Sequence, residues 1–191
     1  VRIAAVQSLV TFIKTISVDK LSILIPHIQT LAKDHSGPVR SDICNVIASI
    51  IPLLGRDVSN SKLLPSVLEL IEDKDATVKI SCVKSINQFA AVFGPELINP
   101  LAPHLKTLLE DKRWRVRECI YDVLADLALI YQNQELFSRH IEPLFFTFLK
   151  DRANTIREAG VRRIAALIQT FKTTWFLNNC LPKLTETLIK S

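Results

Sequence analysis

The sequence predicts an all-α array of stacked antiparallel helix pairs, and three recurrences in one register predict it. Prolines recur at Pro26, Pro65, Pro103, Pro143 and Pro182, in steps of 39, 38, 40 and 39 residues. Aspartates recur at Asp34, Asp73, Asp111 and Asp151, in steps of 39, 38 and 40. A Val/Ile–Arg/Lys pair recurs at Val1-Arg2, Val39-Arg40, Val78-Lys79, Val116-Arg117 and Ile156-Arg157. A fixed period of this length marks a repeat architecture, in which a unit too small to bury its own apolar face buries it against its neighbours.

In chain order, 1–15 reads as the second helix of a truncated pair, opened by Val1-Arg2. The first complete pair is 21–54. Its leading helix carries Leu21, Leu24, Ile25, Ile28 and Leu31 at i, i+3, i+4, i+7 spacing, one apolar stripe of a 3.6-residue period. A polar turn follows at Asp34, and the second helix starts at Val39. Pairs at 62–93, 97–132 and 138–172 repeat the plan, with Val116, Ile120, Val123, Leu124, Leu127 and Tyr131 sharing one face. A lone first helix, 178–191, ends the array. Each recurrent Pro falls within a first helix, where it removes a backbone donor and bends the axis. No useful run alternates with period two, so strands have no candidate. Domain organisation is thus a single array over 1–191, whose two ends, inside helical patterns, read as cuts.

Composition agrees with a folded chain. The 191 residues are 48% hydrophobic, with 24 Lys+Arg against 19 Asp+Glu, too apolar and too evenly charged for disorder. The longest apolar run, Val46 to Leu54, is broken by Ser49 and Pro52, so no membrane is expected. Four glycines leave little material for phosphate-cradling loops. Cys44, Cys82, Cys119 and Cys180 lie 38, 37 and 61 residues apart, with no Cys-x-x-Cys pair and no His at zinc-ligand spacing. They read as buried reduced thiols, with no metal and no cofactor, in an intracellular compartment: the cytoplasm, with the nucleus also open.

No nucleophile elbow, P-loop, zinc helix or dinucleotide fingerprint is present. His27 and His104 each follow a recurrent Pro, His35 lies in a turn and His140 in a first helix, so the four histidines do not converge. Asp122, Asp126 and Glu158 fall opposite the apolar stripe. An enzyme and a small-molecule substrate are therefore not expected. Binding is, and the intra-repeat turns are its place, because their sequences vary on a constant framework. Segments 110–117 and 150–157 each carry net charge +2, against −1 for 72–79. Trp114, flanked by Arg113 and Arg115, is the one large aromatic in such a turn. It reads either as a partner anchor, since Trp and Arg dominate hot spots, or as a ring lying on the next repeat with Arg115 stacked over it.

Pro in the first helix, Asp at the turn and Val-Arg opening the second helix together resemble the HEAT repeat. That resemblance implies a ladder in which the turn Asp and the Arg six residues on link adjacent repeats: Asp34, Asp73, Asp111 and Asp151 with Arg40, Arg117 and Arg157. Lys79, lacking the planar fork, makes a weaker rung. A closer resemblance is to the scaffold (A) subunit family of protein phosphatase type 2A. It rests on Glu110 to Arg117 (EDKRWRVR), Asp151 to Ala159 (DRANTIREA), Leu54 to Asp57, Leu63 to Pro65, Trp175, Pro182 and Lys183. It implies a segment near the ninth to twelfth repeats of a non-catalytic scaffold that holds the catalytic subunit of a Ser/Thr protein phosphatase together with a regulatory subunit. The contacts it implies are Arg113, Trp114 and Arg115, then Arg152 and Asn154. Asn154 stands where that family tends to carry an aromatic, and Arg113 where it commonly has Lys. The competing expectation is a HEAT module of another class: a phosphatase-4-type regulatory subunit, or a nuclear-transport or chromosome-associated scaffold. Nucleic acid is not expected as a ligand, because the basic residues alternate with acids and lack interleaved aromatics.

Overall fold

Each recurrent Asp closes one helix and each Val/Ile-Arg/Lys pair opens another, and that alternation sets the element order. The computed structural model describes residues 1–190, with residues 187, 188 and 190 described by backbone alone. Among the described residues there is no strand, and the architecture is an all-α repeat solenoid. The chain divides into two compact units, Val1–Leu97 and Ile98–Ser191.

The first unit contains α1 (Arg2–Ile13), α2 (Val18–Leu31), α3 (Gly37–Leu54), α4 (Arg56–Lys62), α5 (Leu64–Ile71), α6 (Ala76–Lys84) and α7 (Ile86–Phe93), and ends in a 3₁₀ turn, Pro95–Leu97. Its centre is α3, which packs against α1, α2, α6 and α7 and buries Ile43, Val46, Ile47, Ile50 and Ile51 completely. Pro38 near its start costs no hydrogen bond there, and Gly55 at φ +77° ends it in the left-handed region that a side chain avoids. With 18 residues and mean hydropathy 1.2, α3 is long and apolar enough to cross a bilayer, although no uninterrupted apolar run in the sequence suggested one. Its ten buried residues, Arg40 among them, pack it as the core helix of this unit.

The second unit contains α8 (Ile98–Leu109), α9 (Trp114–Tyr131), the single turn α10 (Gln134–Leu136), α11 (Glu142–Phe145), α12 (Asn154–Trp175) and α13 (Leu181–Lys190). Here α9 is central, packing on α8, α11 and α12. An aromatic cluster completes the core: Phe137 lies 5.1 Å from Phe171 and 5.4 Å from Trp175, and Phe145 lies 5.4 Å from Phe148, ring centre to ring centre. Gly160 lets α12 come down onto Phe148, because a Cβ at that position would overlap the ring.

The recurrent prolines act in two ways. Pro26 and Pro103 lie inside α2 and α8, whereas Pro65, Pro143 and Pro182 sit at the starts of α5, α11 and α13. Wide π-helical turns, Phe137–Ile141 and Phe176–Cys180, precede the last two. A proline has no N–H for the carbonyl four residues back, so the preceding turn loosens and finds other partners. The second helix within 62–93 is also divided, at Ser85, whose hydroxyl donates to the Ser81 carbonyl at 3.0 Å and bends the chain. All four cysteines are buried and unpaired in disulfides, and burial pushes the Cys180 thiol up to about 12, with the Glu142 charge adding to it.

Candidate functional site

The turns are built by one device used repeatedly. In each, an Asp carboxylate oxygen accepts from the backbone N–H two residues on: Asp34 from Ser36, Asp73 from Asp75, Asp111 from Arg113 and Asp151 from Ala153, at 2.8 to 2.9 Å. This is an Asx turn, which holds the loop conformation locally. The Arg six residues on reaches back over it. Arg40, Arg117 and Arg157 donate through Nη1 to the carbonyls of Asp34, Asp111 and Asp151 at 2.7, 2.7 and 2.6 Å.

The same guanidinium then reaches forward one repeat. Arg40 donates through Nε and Nη2 to the Asp73 carboxylate at 2.6 and 2.8 Å, and Arg117 does so to Asp151 at 2.7 and 2.8 Å. Both arginines are buried, so their charge is tolerated only because this bidentate pairing meets it. Burial alone raises the Asp73 and Asp151 pKa values, but the hydrogen bonds from Arg40 and Arg117, together with the N–H of Asp75 and of Ala153, carry them below the ordinary carboxylate value. The hydrogen bonds that Arg40 and Arg117 donate to Asp73 and Asp151 in turn raise the two guanidinium pKa values. Arg2 stands 3.4 Å from Asp34 and is half-exposed. Lys79 lies half-buried on α6, its N–H donating to the Asp75 carbonyl.

The Asp111 turn carries Trp114, the first residue of α9, with 38% of its surface exposed. The Arg115 guanidinium lies 4.6 Å from the Trp114 ring centre, a cation–π stack that keeps one face of the indole covered. Arg113 is tied to its own turn: its Nε and Nη2 fold back onto the Asp111 carboxylate at 2.9 and 2.8 Å while the side chain stays partly exposed. Arg152, from the next turn, donates to the Lys112 carbonyl at 2.9 Å and so joins this group. Asn154 is held instead at the start of α12, donating to Glu158 and accepting from Arg157. The structure therefore brings Arg113, Trp114, Arg115 and Arg152 to one turn and commits the Asn154 amide to its own helix. What this group offers is an exposed aromatic ring on a rigid cationic turn, which suits protein recognition.

Two further ion pairs were not legible as sites. Arg163 on α12 reaches Asp122 on α9 at 2.7 Å and stands 3.6 Å from Asp126. Lys183 pairs with the buried Glu142 and lies 4.5 Å over the Phe146 ring. Both join residues 41 positions apart, close to the 38 to 40 residues of the repeat, so opposite charges about one period apart were the available signal. Among the described residues no cluster of three or more His, Cys, Asp or Glu could hold a metal ion.

Fold and site together define a repeat scaffold: a stack of helix pairs that presents its turns. Residues 59–189 match the family PIK3R4-like, middle domain, and this chain belongs to that family. Over 109 residues it is also similar, at 30% identity, to the human beta isoform of the 65 kDa regulatory (A) subunit of serine/threonine-protein phosphatase 2A. That alignment takes in 54% of this chain and 18% of the relative, so the chain spans a small part of that protein's length. In three dimensions the chain is similar to a computationally designed armadillo repeat protein for modular peptide recognition, with a TM-score of 0.57 at 19% identity over 86% of this chain and 73% of that one.

Proposed function

We propose that this segment is a non-catalytic scaffold that holds a protein partner on its turns, with Trp114 as the anchor and Arg115 and Arg152 as its cationic surround. The observation that carries this is the Trp114 side chain itself. It is a large aromatic left 38% exposed at a helix start whose backbone is already tied down. Burying such a ring against a partner costs little ordering entropy, because the turn is held before binding. The narrower form makes the partner a Ser/Thr phosphatase catalytic subunit, with a regulatory subunit on the same array, and similarity to the phosphatase 2A scaffold subunit supports it. A second reading is favoured by the family match over 59–189, which includes the Trp114 turn: the anchor then serves a partner specific to PIK3R4-like proteins. The same proposal takes 21–54, 62–93, 97–132 and 138–172 as complete repeats and an intracellular site of action, cytoplasmic or nuclear.

Titrating purified phosphatase catalytic subunit onto the immobilised 191-residue chain separates the readings. Saturable binding that Trp114→Ala weakens by ~2 kcal/mol or more, with the thermal unfolding midpoint unchanged, supports the phosphatase form. Absence of binding transfers the site to the second reading. Binding indifferent to Trp114→Ala removes Trp114 as the anchor.

A further inference from the structure

Beside the Trp114 turn, the second unit holds an open groove of about 570 Å³ between the end of α8 and α11. Its apolar wall is Leu109, Pro143 and Leu144, and its rim carries Lys106, Lys150 and Arg152. The equivalent groove of the first unit, about 390 Å³, is an internal control on the same repeat position. Counted from the recurrent Asp, Lys106 and Glu110 replace Gln29 and Lys33, while Thr147 and Lys150 replace Glu69 and Glu72. In the first unit Lys33 and Glu69 pair across the groove at 3.1 Å, and Gln29 is spent on the Lys62 carbonyl at 2.7 Å. In the second unit the bridging pair is gone. Thr147 turns its hydroxyl to Tyr121 and the Leu144 carbonyl, and Lys106 and Lys150 have no ion-pair partner among the described residues. Against three rim cations stands one unpaired acid, Glu110, since Arg117 already holds Asp151.

We infer that this groove binds an extended acidic segment of a partner protein, with an apolar side chain laid against Leu109, Pro143 and Leu144 and carboxylates on Lys106, Lys150 and Arg152. Charge complementarity selects the sign of the occupant, and the apolar wall selects a peptide. A nucleic acid would need an aromatic platform, and Tyr121, the groove's one aromatic, is buried at 3% exposure with its hydroxyl on Thr147. The inference rests on the scaffold reading but not on Trp114.

The test is fluorescence anisotropy of the 191-residue chain with a labelled peptide of repeating Glu-Asp-Leu. Saturable binding is expected, weakened about tenfold by Lys106→Glu with Lys150→Glu and unmoved by Lys33→Gln in the first unit. Both rim lysines are exposed, so the double variant keeps its circular dichroism and melting point. Trp114→Ala leaves peptide binding intact, which separates failure of this site from failure of the anchor. Lack of binding, equal binding of a repeating Gln-Asn-Leu peptide or of oligothymidine, or indifference to the rim variant overturns the inference.

Discussion

Replacing Arg117 by Met removes the rung that joins the last two turns, and its cost follows from what is left behind. Arg117→Met keeps most of the aliphatic volume on α9 but deletes two hydrogen bonds to Asp151, one to the Asp111 carbonyl and a longer one to the Lys112 carbonyl. The Asp151 carboxylate, 4% exposed, keeps the Ala153 N–H and loses its cation. An orphaned buried charge of this kind costs ~3–5 kcal/mol. Arg117→Met with Asp151→Asn retains the Asx acceptor without the charge, and should recover ~1–3 kcal/mol of that loss. Both tryptophans, Trp114 and Trp175, lie in the second unit, so urea unfolding followed by tryptophan fluorescence reports on the unit that holds this rung. The pH dependence has a definite sign. The folded pKa of Asp151 is depressed, so its contribution is fully present above the unfolded value of about 3.9 and is lost as pH falls through the folded one. The deficit of Arg117→Met relative to the parent should therefore shrink below about pH 4. A single-variant cost under ~1 kcal/mol at neutral pH, or costs that simply add in the double variant, would refute the reasoning, because either result means that water screens the pair.

Other substitutions probe the packing around this unit. Gly160→Ala drives a methyl into the Phe148 ring and should cost ~1–3 kcal/mol in urea unfolding, whereas Gly55→Ala meets nothing within 4 Å and should cost ~1–2 kcal/mol through its φ of +77° alone. Crystal structures would tell the two causes apart, with a displaced Phe148 only in the first. Lys183→Met leaves the buried Glu142 without its cation, and since the Lys183 side chain is 38% exposed the loss should be ~1–2 kcal/mol by thermal unfolding. The four buried thiols should resist a maleimide at pH 8 until urea is added, Cys82 and Cys180 most firmly, because a hydrogen bond with Cys44 together with burial raises the first thiol pKa and burial raises the second.

The repeat, the turns and the Arg–Asp spacing could be read from the chain because each is local and recurs. Asp111 and Arg117 are six residues apart within one turn, so the backward half of the clamp is short-range geometry. The forward half, Arg117 to Asp151, was implied by the resemblance to the HEAT repeat and not by the spacing itself. The direction of Arg113 could not be read. A guanidinium two residues from an Asp satisfies the same spacing whether it folds onto that Asp or reaches outward, and the chosen state depends on competing hydrogen bonds of similar strength. The breaks before Pro65 and at Ser85 were hidden for a related reason, since a back-bonding Ser and a mid-helix Pro are each also found within continuous helices. The groove of the second unit was invisible from any single segment. Lys106 and Lys150 look like ordinary surface lysines until the register sets them beside Gln29 and Glu72.

On the proposed scaffold reading, the clamp is what lets a turn serve as a recognition site. A free six-residue loop would lose backbone entropy of ~1–2 kcal/mol per residue on binding, enough to cancel one good aromatic anchor. Here the Asx bond from Arg113, the Arg117 bond to the Asp111 carbonyl and the Arg152 bond to the Lys112 carbonyl have already removed that freedom. Trp114 is thus presented from a backbone ordered during folding, and the cost is borne by the buried Arg117–Asp151 pair rather than by the partner. It follows that Arg117→Met, though Arg117 is only 3% exposed, should weaken capture through Trp114 as well as destabilise the fold. The comparison must be made where the variant is still folded, in the absence of urea and at low temperature. Unaltered affinity there would show that the turn holds its shape without the clamp.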